Sequence, residues 1–214
     1  MPPASKKTAY HHGDLRESLL SAASRIIRET GIEGLSLRKL AEQVGVSRTA
    51  PYHHFKDKNA LLCAIAEGGF LQIQSHIATL LADDLHTGSI TNKTQAYRSY
   101  IRGYIDFAAE NPEVYDLMFG RTIWKHAQVT EELRKTAYDT FQRDLQIVKA
   151  LQKDKILPPE EDSLRFAQVV WGTLHGIARL VIDGVYADTS HIEEMCECAA
   201  NLFIQSDTQE PSTL

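Results

Sequence analysis

The 214-residue sequence lacks any apolar run of the roughly 18 residues that a membrane-spanning helix needs. The first ten residues carry lysines with no apolar stretch behind them, so we expect no secretory signal. Three cysteines are too few for a disulfide framework, which favours a reducing cytoplasmic compartment. Only seven prolines and twelve glycines interrupt the chain, and we therefore expect long regular segments.

Signatures of enzymes are also missing. The sequence has no glycine-rich phosphate loop, no nucleophile elbow and no helix with two histidines and a glutamate for zinc. Cys196 and Cys198, with His191 nearby, invite a metal-binding interpretation. Thiols two residues apart on a helix point to different faces, however, and cannot easily share one ion. We therefore expect a protein that is not an enzyme and has no metal and no cofactor.

The net charge of −5 hides an uneven distribution along the chain. Residues 1–60 hold 10 Lys and Arg against 6 Asp and Glu, and also four histidines. Residues 61–214 hold 13 basic and 22 acidic residues. A basic first part on an acidic remainder suggests that the first part meets a polyanion.

Apolar residues recur with helical spacing almost throughout, and no strand-like alternation appears. We predict an all-α fold of about nine helices, with an N-terminal three-helix domain and a larger helical domain. The predicted organisation is a disordered basic arm (1–9), a helix-turn-helix domain (10–56), a helical ligand-binding and dimerisation domain (57–205) and a disordered tail (206–214).

Helix ends are predicted from capping residues. Asp14, with Glu17 three residues later, has the spacing of a capping box, and Gly31 ends that first helix. The later helices are predicted at about 36–43, 47–54, 58–82, 94–110, 112–119, 130–155, 160–186 and 190–205, with Ser36, Ser47 and Asp57 as N-caps of the first three.

The stretch from Ser36 to Phe55 has the spacing of a helix-turn-helix. Two short helices meet at a tight turn around Gly45, which can take positive φ at no steric cost. The small Ala41 lets the second helix approach closely. Ser47 is expected to cap the second helix so that its free N–H groups and positive end face phosphate, with the following residues at the base edges of a major groove.

From about Tyr10 to Phe70 the chain resembles the DNA-binding domain of the TetR family of bacterial transcriptional regulators. The matching pieces are Thr30-Gly31, 34–41, Gly45-Val46-Ser47, Tyr52-His53-His54-Phe55 and 58–62. The C-terminal part is similar to a branch of that family named for a Trp…His-Gly element, here Trp171 to Gly176, and the stretch 111–120 also looks like that branch.

The resemblance implies an all-helical homodimer whose N-terminal helices bind operator DNA and whose remaining helices bind a small effector. Most members are repressors that ligand releases from DNA.

One departure from the family pattern is Pro51, where the family has a β-branched residue or leucine. Pro51 removes one early hydrogen bond and is expected to tighten the start of the recognition helix. The DNA contacts implied by matching positions are Ser36, Arg38, Ser47, Arg48, Thr49, Tyr52, His53 and Lys58.

Three of these contacts have an alternative interpretation. Arg48 can be a solvated charge, Tyr52 can pack inside the N-terminal domain, and Arg38 can pair with Glu42 one turn away. Phe55 is interpreted as core and His54 as structural. Lys6, Lys7, His11 and His12 either follow the DNA as an arm or form a solvated tail.

Aromatic residues recur in the acidic part, either as plain core or as the lining of an apolar effector pocket. His175 on an apolar face is interpreted more readily as a satisfied core histidine than as a ligand contact. The pocket candidates are Tyr100, Tyr104, Phe107, Met118, Phe119, Trp124, Trp171 and His175. The dimer interface is expected on the last two helices, through Val169, Val170, Thr173, Ile177, Leu180, Val181, Ala199, Leu202 and Phe203.

Gly68 and Gly69 lie in the helix that joins the two parts, as either a flexible point or a place of close packing. The function favoured by the sequence is a dimeric, ligand-responsive transcriptional repressor that binds a double-stranded DNA operator and does not contact a membrane. The alternatives are a small-molecule binding or metabolic protein with a vestigial or architectural head, and a transcriptional activator.

Overall fold

The computed structural model describes residues 12–81, 88–125, 129–186 and 191–205, and these are helical with no strand among them. The all-α prediction is therefore confirmed. The α-helices are α1 (His12–Thr30), α2 (Leu37–Val44), α3 (Lys58–Leu81), α4 (Ile90–Glu110), α5 (Pro112–Phe119), α6 (Arg121–Trp124), α7 (Glu131–Lys153), α8 (Ser163–Ile182) and α9 (Ile192–Phe203), with short 3-10 helices at Ile32–Gly34 and Ala50–His53.

Capping fixes the ends of the helices in the N-terminal domain, the described residues up to 56, which we call the head. The Ser36 hydroxyl accepts from Lys39 N–H at the start of α2, and Gly45 ends it in the left-handed region with φ 76°. Asp57 Oδ1 accepts from Ala60 N–H at the start of α3, at 2.8 Å. These three predictions are confirmed. The Asp14 cap is wrong, because α1 already begins at His12 and position 14 lies inside it.

The C-terminal domain consists of the described residues from 57 to 205, and we call it the body. Its helix α5 begins at Pro112 and ends at Phe119 as predicted. The predicted start of α4 at Thr94 is four residues too late, because Ser89 caps the helix. The short helix α6 was not predicted. The long predicted segment 160–186 is shorter at both ends, since Asp162 is the N-cap of α8 and Ile182 is its last residue.

The head is built around one apolar core. Leu19 and Ile26 of α1 pack with Leu40 of α2 and Leu61 of α3, all nearly inaccessible to solvent. Phe55 is also buried, which confirms its interpretation as core. From this core α3 continues into the body, and its buried residues run from Leu61 to Leu81.

Helix α5 lies between head and body and contacts both. Arg28 at the end of α1 pairs with Glu113 at the start of α5, with 3.7 Å between Nε and Oε2. Gly69 of α3 faces α5 so closely that a Cβ there would lie 2.6 Å from the Met118 sulfur and from a Val114 methyl. A Cβ on Gly68 would meet nothing within 4 Å. Close packing is therefore the role of Gly69.

Cys196 and Cys198 of α9 were predicted to point to different faces of their helix. Cys196 is buried and Cys198 exposed, so the two thiols do face apart. Within the described residues, no three His, Cys, Asp or Glu are placed to hold a metal ion. None of the described helices is long and apolar enough to cross a membrane. Lys6, Lys7, His11, the arm 1–9 and the tail 206–214 lie outside the described residues.

Candidate functional sites

The segment after the Gly45 turn is a tight 3-10 structure. Three successive i to i+3 hydrogen bonds hold it: Ala50 N–H donates to the Ser47 carbonyl (3.0 Å), Tyr52 N–H to that of Thr49 (3.1 Å) and His54 N–H to that of Pro51 (3.0 Å). The predicted α-helix over 47–54 is therefore wrong in type. The predicted Ser47 cap is wrong as well, because the residue before the 3-10 helix is Thr49 and no side chain caps it.

Pro51 gives the physical reason. In an α-helix the N–H of residue 51 would donate to the Ser47 carbonyl, and proline has no N–H. Ala50 supplies that donor instead, one residue earlier, which tightens the segment as predicted. Pro51 is also buried, and it anchors the segment in the head core. The Ser47 hydroxyl is hydrogen-bonded to that of Thr49, at 3.1 Å.

Most of the predicted DNA contacts lie on the surface of the head. Tyr52 is 57% exposed, so the alternative that it packs inside the head is wrong. Arg38 and Glu42 do not form an ion pair among the described residues, which leaves the Arg38 guanidinium in solvent. The exposed members of the predicted set are Ser36, Arg38, Ser47, Arg48, Thr49, Tyr52 and His53.

Lys58 differs from the others in being only partly exposed. Its ammonium donates to the Ile32 carbonyl at 2.6 Å and so holds the loop between α1 and α2. His54 is half-buried beside Phe55, with ring centroids 6.4 Å apart. Sequence reasoning passed over Lys39 and Lys56, two further exposed cations of the head. Their signal was only charge, which marks a solvated residue as often as a contact.

The other face of the segment is fixed to α1. The Arg16 guanidinium lies over the Phe55 ring, 5.7 Å from its centroid. A cation in this position is attracted by the ring quadrupole. Together with buried Pro51, this contact holds the segment from behind while its other side remains exposed.

The body contains a cavity of about 600 Å³ with predominantly aromatic walls, which we call the aromatic cavity. This size is within the usual range for small-molecule sites. Both tryptophans of the chain, Trp124 and Trp171, line it. The full lining is Phe70, Met118, Phe119, Trp124, Arg134, Ala137, Tyr138, Phe141, Gln168, Trp171, Gly172 and His175.

Five of the eight predicted pocket residues are in this lining, from Met118 to His175. Tyr100 and Phe107 are buried in the core and line neither this cavity nor the second one described below. Tyr104 lines the second cavity. The residues that were missed include Arg134, Ala137, Tyr138 and Phe141 on one stripe of α7, whose spacing of three and four residues is a usable signal.

A buried series of hydrogen bonds leads from the aromatic cavity into the core. The Tyr115 hydroxyl is hydrogen-bonded to His175 Nδ1 at 2.7 Å and to the Tyr104 hydroxyl at 3.0 Å. His175 is therefore a histidine whose Nδ1 is hydrogen-bonded within the protein, and it also lines the cavity. Burial, with the Arg179 charge nearby, lowers the pKa of His175. The imidazole is accordingly neutral at pH 7.

A second cavity, of about 380 Å³, lies between α3, α4 and α7, and we call it the Asp144 cavity. Its walls are mostly apolar, with Ile73 and Ile77 of α3 and Ile147 of α7. Burial raises the pKa of Asp144 to about 7, and a hydrogen bond from Tyr100 partly opposes the rise. A carboxyl group in apolar surroundings with a strongly raised pKa is typical of functional sites.

The predicted dimer face divides into two groups. Val169 is 60% and Leu202 76% exposed, and Thr173, Ile177, Leu180 and Val181 are partly exposed. Val170, Ala199 and Phe203 are buried in the protomer's own core, so they offer no surface and their assignment to the interface is wrong. Phe203, for example, packs edge-on against Phe166 of α8.

The surface of α8 is open where its glycines lie. A Cβ on Gly172 or Gly176 would meet nothing within 4 Å. Val169 lies one turn before Gly172, so a strip of α8 bears an apolar side chain next to bare backbone. Such a strip allows close approach of another helix.

Known proteins resemble both parts of the chain. A family model described as "Bacterial regulatory proteins, tetR family" matches residues 19–65, and one described as "Tetracyclin repressor-like, C-terminal domain" matches residues 97–202. A solved structure of a protein with unknown function from Rhodococcus sp. RHA1 is similar with a TM-score of 0.77 and 32% identity, over 92% of this chain and 97% of that one.

Two sequence relatives are similar to this chain over different shares of its length. Tetracycline repressor protein class A from transposon 1721 of Escherichia coli is 36% identical over 91 residues, which is 42% of this chain and 42% of that repressor. This match therefore spans less than half of the repressor's length. The nucleoid occlusion factor SlmA of Vibrio campbellii is 27% identical over 89% of this chain and 93% of that protein.

Proposed function

Because this chain belongs to the TetR family of DNA-binding transcriptional regulators, we propose that it is a homodimeric repressor of a pseudo-palindromic operator. In this proposal a small molecule that enters the aromatic cavity releases the operator. The observation that carries the proposal is the exposure of Arg48, Thr49 and Tyr52 on a segment fixed from behind by Pro51 and Phe55. The Trp…His-Gly branch is part of the proposal, supported by Trp171 and His175 in the cavity lining.

The roles that we propose for the exposed head residues in DNA binding follow from the hydrogen-bonding groups and charges of their side chains. Arg48 is proposed to read a guanine through two hydrogen bonds, worth about 1–3 kcal/mol of discrimination. Tyr52, His53 and Arg38 are proposed to contact phosphates and set the register. Lys39 and Lys56 add exposed positive charge to the head.

The dimer is proposed to form through α8 and α9, with Val169 and Leu202 at its centre. These two exposed apolar side chains and the open backbone of α8 support a helix-to-helix contact with a second copy. The two recognition segments would then lie about 34–36 Å apart or wider, one on each half-site. Light scattering tests this, because Leu202→Glu should yield a monomer while Ile90→Glu, on a comparably exposed residue outside this face, should not.

The proposed release route runs through α5. Its Phe119 and Met118 line the aromatic cavity, and Tyr115 is bonded to His175 of α8. Its first turn pairs Glu113 with Arg28 of the head. A ligand that moves α5 would therefore move α1 relative to α3. By thermodynamic linkage, the factor by which the effector lowers DNA affinity equals the factor by which DNA lowers effector affinity.

The direct experiment is fluorescence anisotropy with labelled duplexes from the DNA upstream of the chain's own gene. We expect saturable, salt-sensitive binding to one duplex over a scrambled duplex. Arg48→Ala with Tyr52→Ala should abolish that preference, and Lys149→Ala, an exposed cation of α7 outside both cavities, should not.

A further contrast separates base reading from phosphate contact. Arg48→Gln should relax specificity at one base pair, whereas Arg38→Gln should weaken all duplexes alike and lower the salt slope by about one. If the paired Arg48 and Tyr52 variant keeps its fold and binds operator like the parent chain, the head is vestigial. The alternative of a small-molecule binding protein would then be favoured.

A further inference from the structure

The Asp144 cavity has the composition of a site for a small amphiphile. Ile73, Ile77 and Leu81 of α3 and Ile147 of α7 form an apolar wall. Tyr104 of α4 also lines it, and the other polar lining residues are Gln74, Thr140, Arg143, Asp144 and Gln146. Two of these already satisfy each other, because the Gln74 amide donates to the Thr140 hydroxyl at 2.6 Å. Of the other three, Arg143 and Gln146 are exposed, and Asp144 is the least exposed.

Among the residues that the structure describes, no lysine or arginine forms an ion pair with the Asp144 carboxylate. No lysine or arginine of the described chain is among the influences on its pKa, which are burial and the Tyr100 hydroxyl. Arg143 also lines the cavity, but it is the neighbouring residue on the same helix and its side chain is exposed. A desolvated carboxylate without a counter-ion is costly, and a bound cation would remove that cost.

We propose that the Asp144 cavity is a second ligand site, which binds a small organic cation bearing an apolar group, with the Asp144 carboxylate as counter-ion. The apolar group would contact Ile73, Ile77 and Ile147. The cationic head would lie between the carboxylate and the face of Tyr104, where an aromatic ring attracts a quaternary ammonium. Binding of a cation at this site does not require that the head bind DNA.

The two cavities of the body are separate and differ in charge. They share no lining residue. Each cavity is lined by one exposed arginine, Arg134 in the aromatic cavity and Arg143 in the Asp144 cavity, and Asp144 is the carboxylate that only the second cavity has in its lining. Tyr104 lines the Asp144 cavity and reaches His175 of the aromatic cavity through Tyr115. A carboxylate in the lining is therefore the feature that would favour a cation in the Asp144 cavity over the aromatic cavity.

Binding must depend on pH in a defined direction. The groups facing Asp144 are Tyr97, Tyr100 and Tyr104 of α4, which burial keeps neutral by raising their pKa, and Arg143 of α7, while α3 contributes the neutral Gln74. Ionisation of Asp144 itself therefore governs the charge of the site. With its pKa near 7, affinity for a permanent cation should rise about tenfold from pH 6 to pH 8.

The probe is benzyltrimethylammonium, whose charge does not change with pH, and its neutral carbon isostere is neopentylbenzene. Isothermal titration calorimetry of the full chain should show binding of the cation that strengthens from pH 6 to pH 8. Asp144→Asn should weaken it by about tenfold or more and remove the pH dependence. Glu132→Gln, which removes an exposed carboxylate of α7 outside both cavities, is the matched control and should leave cation affinity unchanged.

Tryptophan emission locates the bound cation, because both tryptophans line the aromatic cavity. Little change in emission on saturation is the expected result. The proposal is overturned if the cation does not bind, if the neutral isostere binds as well as the cation, or if affinity and pH dependence survive in Asp144→Asn. Circular dichroism of the variant establishes that it is folded, and none of these outcomes bears on operator binding.

Discussion

Gly69 of α3 and Met118 of α5 are in such close contact that a Cβ at position 69 would lie 2.6 Å from the methionine sulfur. Met118 also lines the aromatic cavity, and α3 is the helix that joins head to body. The absence of a side chain at position 69 thus brings the connecting helix into contact with the wall of the proposed effector site.

The two adjacent glycines allow a matched test of this contact. Gly69→Ala should lower the free energy of unfolding by about 1 kcal/mol or more, because the methyl group collides with Met118 and a Val114 methyl. Gly68→Ala has open space and should gain up to about 1 kcal/mol from helix propensity. Urea denaturation measures both. Equal stability of the two variants would show that the core yields without cost at position 69.

Two buried tyrosines of the body differ in their hydrogen bonds and should differ in what their hydroxyls contribute. Tyr115→Phe leaves the Tyr104 hydroxyl and His175 Nδ1 without their shared partner, so we expect a loss of about 1–3 kcal/mol. The Tyr97 hydroxyl is buried and has no hydrogen-bond partner among the described residues. Tyr97→Phe should therefore be neutral or slightly stabilising. Thermal unfolding of both variants distinguishes them, and a destabilised Tyr97→Phe would contradict the assignment.

Asp144 should make stability depend on pH. Its pKa is about 7 in the folded chain against an ordinary value of 3.8, so between these values the folded state holds a proton that the unfolded chain releases. The contribution of Asp144 to the free energy of unfolding is highest below pH 3.8, decreases as the pH rises towards 7 and stays low above pH 7. Asp144→Asn should be more stable than the parent chain at pH 8 by on the order of 1–3 kcal/mol. The difference should shrink at pH 5, which unfolding at both pH values measures.

Communication between head and body can be tested without knowing the effector. Both tryptophans lie in the body cavity, so a change in their emission when operator DNA binds the head reports coupling across the molecule. We expect such a change in the parent chain. Glu113→Gln, which removes the ion pair with Arg28, should reduce it while operator affinity changes little, because position 113 is outside the head. An undiminished change in this variant would place the coupling elsewhere, for example at Gly69.

The sequence was sufficient for features that short stretches of chain determine. Ser36 and Asp57 cap their helices through local hydrogen bonds, and Pro112 begins α5 because its missing N–H costs nothing there. The Gly45 turn likewise depends on one backbone conformation. Each of these is decided within about four residues, the range of a helical hydrogen bond.

Other features depend on contacts between distant parts of the chain. Tyr100 and Trp171 are both aromatic residues on amphipathic helices, yet the first is core and the second lines a cavity, because different helices pack over them. Phe203 depends on distant contacts in the same way, because packing against Phe166 of α8 buries a side chain that the helix pattern alone predicts at an interface. Asp144 had an overlooked local signal, since it lies four residues from both Thr140 and Val148 on the buried stripe of α7.

The proline at position 51 also has a consequence for how the head meets a duplex. Because the segment lacks the donor that would let it relax into a wider helix, and because Pro51 is clamped in the core, its shape is set before any encounter. A preorganised reading surface loses little entropy on docking, which raises affinity for a half-site of matching groove width. The same rigidity penalises distorted sites, so selectivity would rest on the shape of the duplex as well as on its bases.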